Sequence, residues 1–231
     1  MDLPVRFFEA RERLILVGAW SMSDIVYCLN VFDREKQLRE TIDRVNEMFD
    51  SPPIYVASNG IQSLTDLPEN VIFEWFGSNQ GWQLGALNGC CQALRMAAEH
   101  DLNIRKKAVI FSHDDIIPVN RDKILNLCEH VEKWYVDIVA RLYTKNLVNL
   151  TTFTYNKPYI MIENLVLSGR VVSNFYNFPI MESLTESCAE IEFGQILNRL
   201  YPTGYNHSFY GFDCNFDMRE NEMGFNHWHK H

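Results

Sequence analysis

The sequence has no apolar run long enough to cross a bilayer: Leu14 to Trp20 is far short of the roughly 20 residues a membrane helix needs. Charged residues punctuate Met1 to Glu12, so no secretory-type hydrophobic stretch precedes that run. No Lys- and Arg-rich stripe is present that could track a phosphate backbone. The charge of −9 comes from acids spread along the whole chain, which argues against a nucleic-acid partner. Six cysteines occur without CxxC spacing, several of them inside apolar runs, as reduced thiols packed like small hydrophobes would be. A soluble, cytoplasmic protein is expected. The chain also lacks GxGxxG after its first strand and GxxxxGK[ST] anywhere, which removes support for a Rossmann dehydrogenase or a P-loop kinase. No Ser-His-Asp arrangement, internal repeat or low-complexity linker is evident.

What is present is an apolar content of 47% over 231 residues, enough for one sizeable α/β core. Ile25 to Phe32 reads as a strand, and Leu38, Ile42, Val45 and Phe49 then fall at helical spacing. Ile54 to Ala57 and Val71 to Trp75 read as strands, Gln80 to His100 as a helix, and Ala108 onward as a buried strand. Asn120 to Lys133 follows as a helix, Val136 to Tyr143 and Tyr159 to Leu167 as strands, and Ser187 to Leu200 as a helix. Strands alternating with helices predict a mostly parallel sheet flanked by helices, with ligands at the carboxyl ends of the strands. Asn30, Asn59 and the turn His113-Asp114-Asp115 all fall at such ends. The expected organisation is an N-terminal extension over 1–22 and one domain over 23–231.

The acidic turn carries the clearest chemistry. Adjacent carboxylates at the mouth of an apolar strand repel each other and resist burial, so a cation held against a phosphate explains them; a solvated turn or a helix N-cap is the plainer alternative. Gly81, Gly85 and Gly89 form a helix stripe that suits either a ligand diphosphate or close packing. His227 and His229 stand two apart, so an extended tail would point both imidazoles to one side, where one could complete a metal site; a frayed polar end is the alternative. Ser187-Cys-Ala-Glu190 reads as a capping box, which gives Glu190 a structural role. Glu192 has none, and reads as a general base or as a solvated first-turn carboxylate.

These pieces, in this order, resemble the family 2-like glycosyltransferases of the GT-A fold over roughly Ser23 to Leu142, with a weaker echo to residue 200. Asn30-Val-Phe-Asp-Arg-Glu-Lys-Gln-Leu38 looks like their opening strand and helix, and Val56-Ala-Ser-Asn-Gly60 like the second-strand end. Asn79-Gln-Gly-Trp82 through Asn88-Gly89 looks like their Asn- and Gly-bearing helix, and His113-Asp-Asp115 stands where they carry Asp-x-Asp. The resemblance implies a nucleotide-sugar half over about 23–145 and an acceptor half with the tail over about 146–231. It implies donor contacts from Asn30, Phe32, Arg34, Asn59, Asn79, Gly81, Trp82, Gly85, Asn88, Ser112, His113 and Asp114. It also implies a divalent ion, Mn²⁺ or Mg²⁺, on Asp115 and a tail histidine, His227 or His229, with Glu190 or Glu192 as the base of an inverting enzyme. Two features depart from the family pattern: His113 replaces the first acid, and the second Asn-Gly lies one residue further along.

The expected function is metal-dependent transfer of a sugar from a nucleotide diphosphate sugar, a UDP-sugar first, to a hydroxyl of a glycan or glycoconjugate. The alternative is a GT-A-like domain that binds a nucleotide sugar or glycan without transferring it.

Overall fold

A computed structural model describes residues 24–77, 80–133, 136–143, 159–186, 188–201, 207–212 and 223–227. The expected extension over 1–22, together with Asn79, Ser187 and His229, lies outside the described residues. In chain order the elements are β1 (Ile25–Val31), α1 (Glu35–Phe49), β2 (Ile54–Ser58), β3 (Val71–Trp75) and α2 (Trp82–His100). Then come β4 (Ala108–His113), β5 (Ile116–Pro118), α3 (Arg121–Lys133), β6 (Ile138–Tyr143), β7 (Tyr159–Ser168) and a short helix α4 (Gly169–Val172). The last are α5 (Ala189–Leu200), β8 (His207–Phe212) and β9 (Phe225–His227).

Every residue of β1 is buried, which is why its sequence is a continuous apolar run: the strand is central and covered on both faces. Val26 and Cys28 face a core shared with α2 and α5, including Leu87, Cys91, Phe193 and Ile196. Ile25, Tyr27, Leu29 and Val31 face the other layer, where Leu38, Ile42, Val45 and Phe49 of α1 meet Ile124 and Val131 of α3. Burying each large side chain of the α1 stripe contributes about 1.5–3 kcal/mol, so a charge at Ile42 would undock the helix. Helix α1 stops at Asp50, whose left-handed backbone (φ 56°) returns its amide to the Asn46 carbonyl.

The seven-stranded sheet has the order β3-β2-β1-β4-β7-β6-β8. Strands β1 to β4 pair in parallel, β7 is antiparallel to both β4 and β6, and β8 is parallel to β6, so only β7 runs against the rest. From β1 the chain moves out to β2 and β3, then returns through α2 to place β4 on the other side of β1. That reversal opens a crevice at the carboxyl ends of β1 and β4, the place where open sheets of this kind bind ligands.

The elements read from sequence periodicity fall close to where it places them, whereas β5, α4, β8 and β9 are not read from it. Strand β5 is three residues long and pairs with β9, a strand from the tail. The pairing is anchored by the Gly224 carbonyl, which accepts from the amides of Val119 and Asn120. A three-residue ladder made by distant segments leaves no local period to read.

Candidate functional site

The crevice is built by backbone first. Asn59 N–H donates to the Val31 carbonyl (3.2 Å), Ile61 N–H to the Phe32 carbonyl (3.0 Å) and Asp114 N–H to the Asn30 carbonyl (2.9 Å), clasping three strand ends together. Gly60 is required there, because a Cβ would lie 2.1 Å from the Phe32 oxygen. The clasp brings Asn30, Asn59 and Asp114 to the same end of the sheet, each less than a tenth exposed, and each with one side-chain oxygen that has no hydrogen-bond partner. Burying unpaired acceptors is unfavourable, and three at one sheet edge point to a missing donor or cation.

The glycine stripe explains how two of them got there. A Cβ on Gly85 would lie 2.0 Å from the Asn59 amide, and one on Gly89 would lie 2.0 Å from the Asn30 amide oxygen. Close packing is therefore what Gly85 and Gly89 do: α2 settles onto the two strand-end amides. Gly81 precedes α2 with φ 78° and has open space around it, beside Trp82, which is 83% exposed. Phe32 is partly exposed at the same edge.

Asp114 and Asp115 differ in setting. Burial, then the neighbouring Asp115, pushes the Asp114 carboxyl up to about 7, although Arg34 and the Phe32 amide oppose this. Asp115 is partly exposed and accepts a 2.7 Å hydrogen bond from Arg34, whose Nη1 also lies 3.8 Å from Asp114. Burial works against the Arg34 charge, but these carboxylates outweigh it and raise its pKa. His113 pairs across the strands with Asn30, whose Nδ2 lies 3.1 Å from His113 Nδ1. The amide donates in that contact, so Nδ1 is the acceptor of the ring and a proton on the neutral imidazole sits on Nε2.

Three sequence expectations are corrected by the packing. Ser112 alternates to the opposite face of β4, fully buried and hydrogen-bonded to the Tyr27 hydroxyl at 3.0 Å, away from the crevice. Asn88 is a bracket: its amide donates to the Met181 carbonyl and to Gln80, and its oxygen accepts the Met181 amide, tying α2 to a distant loop. The structural role expected of Glu190 falls to Glu192 instead. Helix α5 is preceded by Cys188 in the N-cap position, with no side-chain cap. Glu192, expected to lack a structural role, is 1% exposed; it accepts from the Thr185 amide and hydroxyl, the Glu186 amide and Arg199. Burial alone would raise its pKa, but those donors win and lower it. Glu190 is raised, by burial first and then by Glu163, against its own amide and the Cys188 thiol.

Sequence reasoning missed Arg141 and Glu163, an ion pair at 3.6 Å on β6 and β7. Glu163 precedes Asn164, which pairs with Ser112, so it stands level with His113. The signal was available as charged residues inside the apolar runs Ile138–Tyr143 and Tyr159–Ser168.

Asp115 and the unbonded Asp114 oxygen are hard donors on one turn and fit a Mn²⁺ or Mg²⁺ ion that completes its shell with phosphate and water. Among the described residues no three His, Cys, Asp or Glu side chains converge on a metal position. The backbone of His227 lies opposite Ile116, the residue after the acidic turn, because β9 pairs with β5.

No protein-family model matches the sequence, and comparison with curated proteins returns no relative. A mannosyltransferase from Pyrobaculum calidifontis, solved with GDP-Man and Mn²⁺, matches over 81% of this chain and 55% of its own, with a TM-score of 0.51 at 14% identity. The bifunctional IspDF of Campylobacter jejuni covers 81% and 50% with a TM-score of 0.46 at 12% identity, too loose to carry an argument. The chain thus spans little more than half the length of the mannosyltransferase, and at such identity the likeness concerns the fold alone. No helix of the described residues is long and apolar enough to cross a membrane. The mostly parallel sheet with its covering helices is a GT-A-type fold.

Proposed function

We propose that the chain transfers a sugar from a nucleotide diphosphate sugar to a hydroxyl of a glycan or glycoconjugate. The observation that carries this reading is that Asn30, Asn59 and Asp114, at one end of the sheet, each keep a buried oxygen unpaired, with Arg34 and Asp115 next to Asp114. In this reading Asn59 meets the base or ribose at the end of β2. Arg34 and Asn30 would meet the diphosphate at the sheet edge, with Phe32, Gly81 and Trp82 as further donor contacts. Asp115 would hold the divalent ion, with His227 or His229 as a further ligand, and the ion when bound neutralises charge on the departing diphosphate.

Of the two candidate bases we favour Glu190, because both Glu192 oxygens are occupied by the frame, whereas burial raises the Glu190 pKa and so favours its taking up a proton. A second reading, donor binding without transfer, is favoured by one observation: Arg34 already neutralises Asp115.

The test is release of free nucleotide diphosphate from UDP- and GDP-sugars with Mn²⁺. GDP-sugars belong in the screen because the mannosyltransferase neighbour holds GDP-Man. Turnover lost in Asp115→Ala supports transfer, binding without turnover supports the second reading, and absence of any nucleotide-sugar binding sinks both. Asn59→Ala should weaken the free nucleoside as well as the donor; a change in sugar selectivity alone would move the base elsewhere.

A further inference from the structure

We infer that the end of the sheet remote from the acidic turn carries an anion site that accepts a phosphate group. A cavity of about 330 Å³ opens there, lined by Arg105, Lys106, Lys107, Val131, Ser168 and Arg170. It lies at the amino end of β4, and the six residues of that strand separate it from the acidic turn by about 20 Å at a strand's rise per residue. The two sites are therefore distinct.

The cavity is built rather than incidental. Three of its cations are consecutive in the chain, and the fold brings the fourth. Gly169 makes this possible: its amide donates to the Lys107 carbonyl at 2.8 Å, and a Cβ there would lie 1.6 Å from the Ile104 oxygen, so only glycine lets β7 turn into α4 against this loop. Arg170 follows immediately. Lys107 is held by Asp101 at 2.8 Å, and Arg170 by Asp137 at 3.1 Å, with the Ser168 hydroxyl donating to the same Asp137 oxygen at 3.1 Å. Arg105 and Lys106 are exposed and have no ion pair among the described residues. Four cations against two carboxylates leave a local excess of positive charge in a chain whose net charge is −9.

Cations converging from two segments, with a hydroxyl beside them, suit a phosphate monoester, whose oxygens can accept from several directions. Such a group could come from a soluble metabolite or from a lipid headgroup. Leu102, 96% exposed on the same loop, gives the second source an apolar contact.

The test uses the full chain with EDTA present, so that a divalent ion at the acidic turn plays no part. Orthophosphate is titrated by calorimetry, and sedimentation with phosphatidylcholine vesicles is measured with and without phosphatidate. Arg105→Ala/Lys106→Ala changes only exposed side chains and leaves the fold in place. Saturable orthophosphate binding that weakens about tenfold in this double variant, and persists in Asp115→Ala, supports the site with a soluble source. Phosphatidate-dependent sedimentation lost both in the double variant and in Leu102→Asp supports it with a lipid source. Absence of both interactions, or binding indifferent to the double variant, overturns the inference. Binding abolished by Asp115→Ala does so too, because the anion would then sit at the acidic turn.

Discussion

Asp114 and Glu192 are 7% and 1% exposed, yet their acidities move in opposite directions. Desolvation raises the pKa of both, so burial alone cannot give the two opposite signs. Hydrogen bonding does. Glu192 takes two amides, a hydroxyl and a guanidinium, and serves as the knot between the 185–186 loop and α5. Asp114 keeps one oxygen unbonded beside a second carboxylate, and only the Phe32 amide and Arg34 offset that. A satisfied buried carboxylate belongs to the frame, whereas an unsatisfied one at a sheet's ligand edge is held ready for something that comes from outside.

The largest effect should come from cutting the knot. Glu192→Gln keeps the volume but replaces an ion that several donors face, so it should destabilise by about 3 kcal/mol in urea melts at pH 7. The sign with pH follows from the lowered pKa. The charged form stabilises above the unfolded value of about 4.3, and its contribution is lost as pH falls through the folded value. The gap between wild type and Glu192→Gln should therefore close below about pH 4. A gap that persists unchanged in acid would mean that shape, not charge, ties the knot.

At the other carboxylate the sign reverses. Asp114→Asn removes a charge that is buried next to Asp115, and an amide can still face Arg34 through its oxygen, so the variant should be more stable than wild type by about 1–2 kcal/mol at pH 8 without metal. The same variant should bind a nucleotide diphosphate with Mn²⁺ less tightly. If Asp114→Asn destabilised as much as Glu192→Gln, the two carboxylates would both be frame and the contrast would collapse.

How far these roles could be read from sequence differs between the same two regions. The strand β1, the helix α1 and the acidic turn after β4 are local patterns, a continuous apolar run, a four-residue period and a charge pair, and all stand where the sequence places them. Around α5 the pattern misleads. Ser187 and Glu190 have capping-box spacing, yet the helix begins one residue later than that box requires, and Glu192 reaches back to residues seven and six positions upstream. Asn88 and Ser112 carry suitable chemistry at suitable spacing, but their partners, Met181 and Tyr27, are set by tertiary packing with no local signature.

The smallest expected effect is the most discriminating for the acidic turn. Arg34 occupies Asp115 at 2.7 Å and is a third exposed, so it behaves as a resident counter-ion rather than as a structural pillar. Arg34→Ala should leave stability within about 1 kcal/mol of wild type, because exposed pairs of this kind contribute little. It should also raise the affinity of the nucleotide-free protein for Mn²⁺ by about fivefold, since the ion no longer competes with a guanidinium for the same carboxylate. Adding the nucleotide diphosphate should reverse the ranking, because wild-type Arg34, freed by the metal, can then pair with phosphate. Paramagnetic titration of Mn²⁺ with and without UDP or GDP measures both halves. Tighter Mn²⁺ binding by the variant in both conditions would leave Arg34 as a mere competitor. Weaker binding in the absence of nucleotide would remove Asp115 from the metal site and return the turn to the frame beside Glu192.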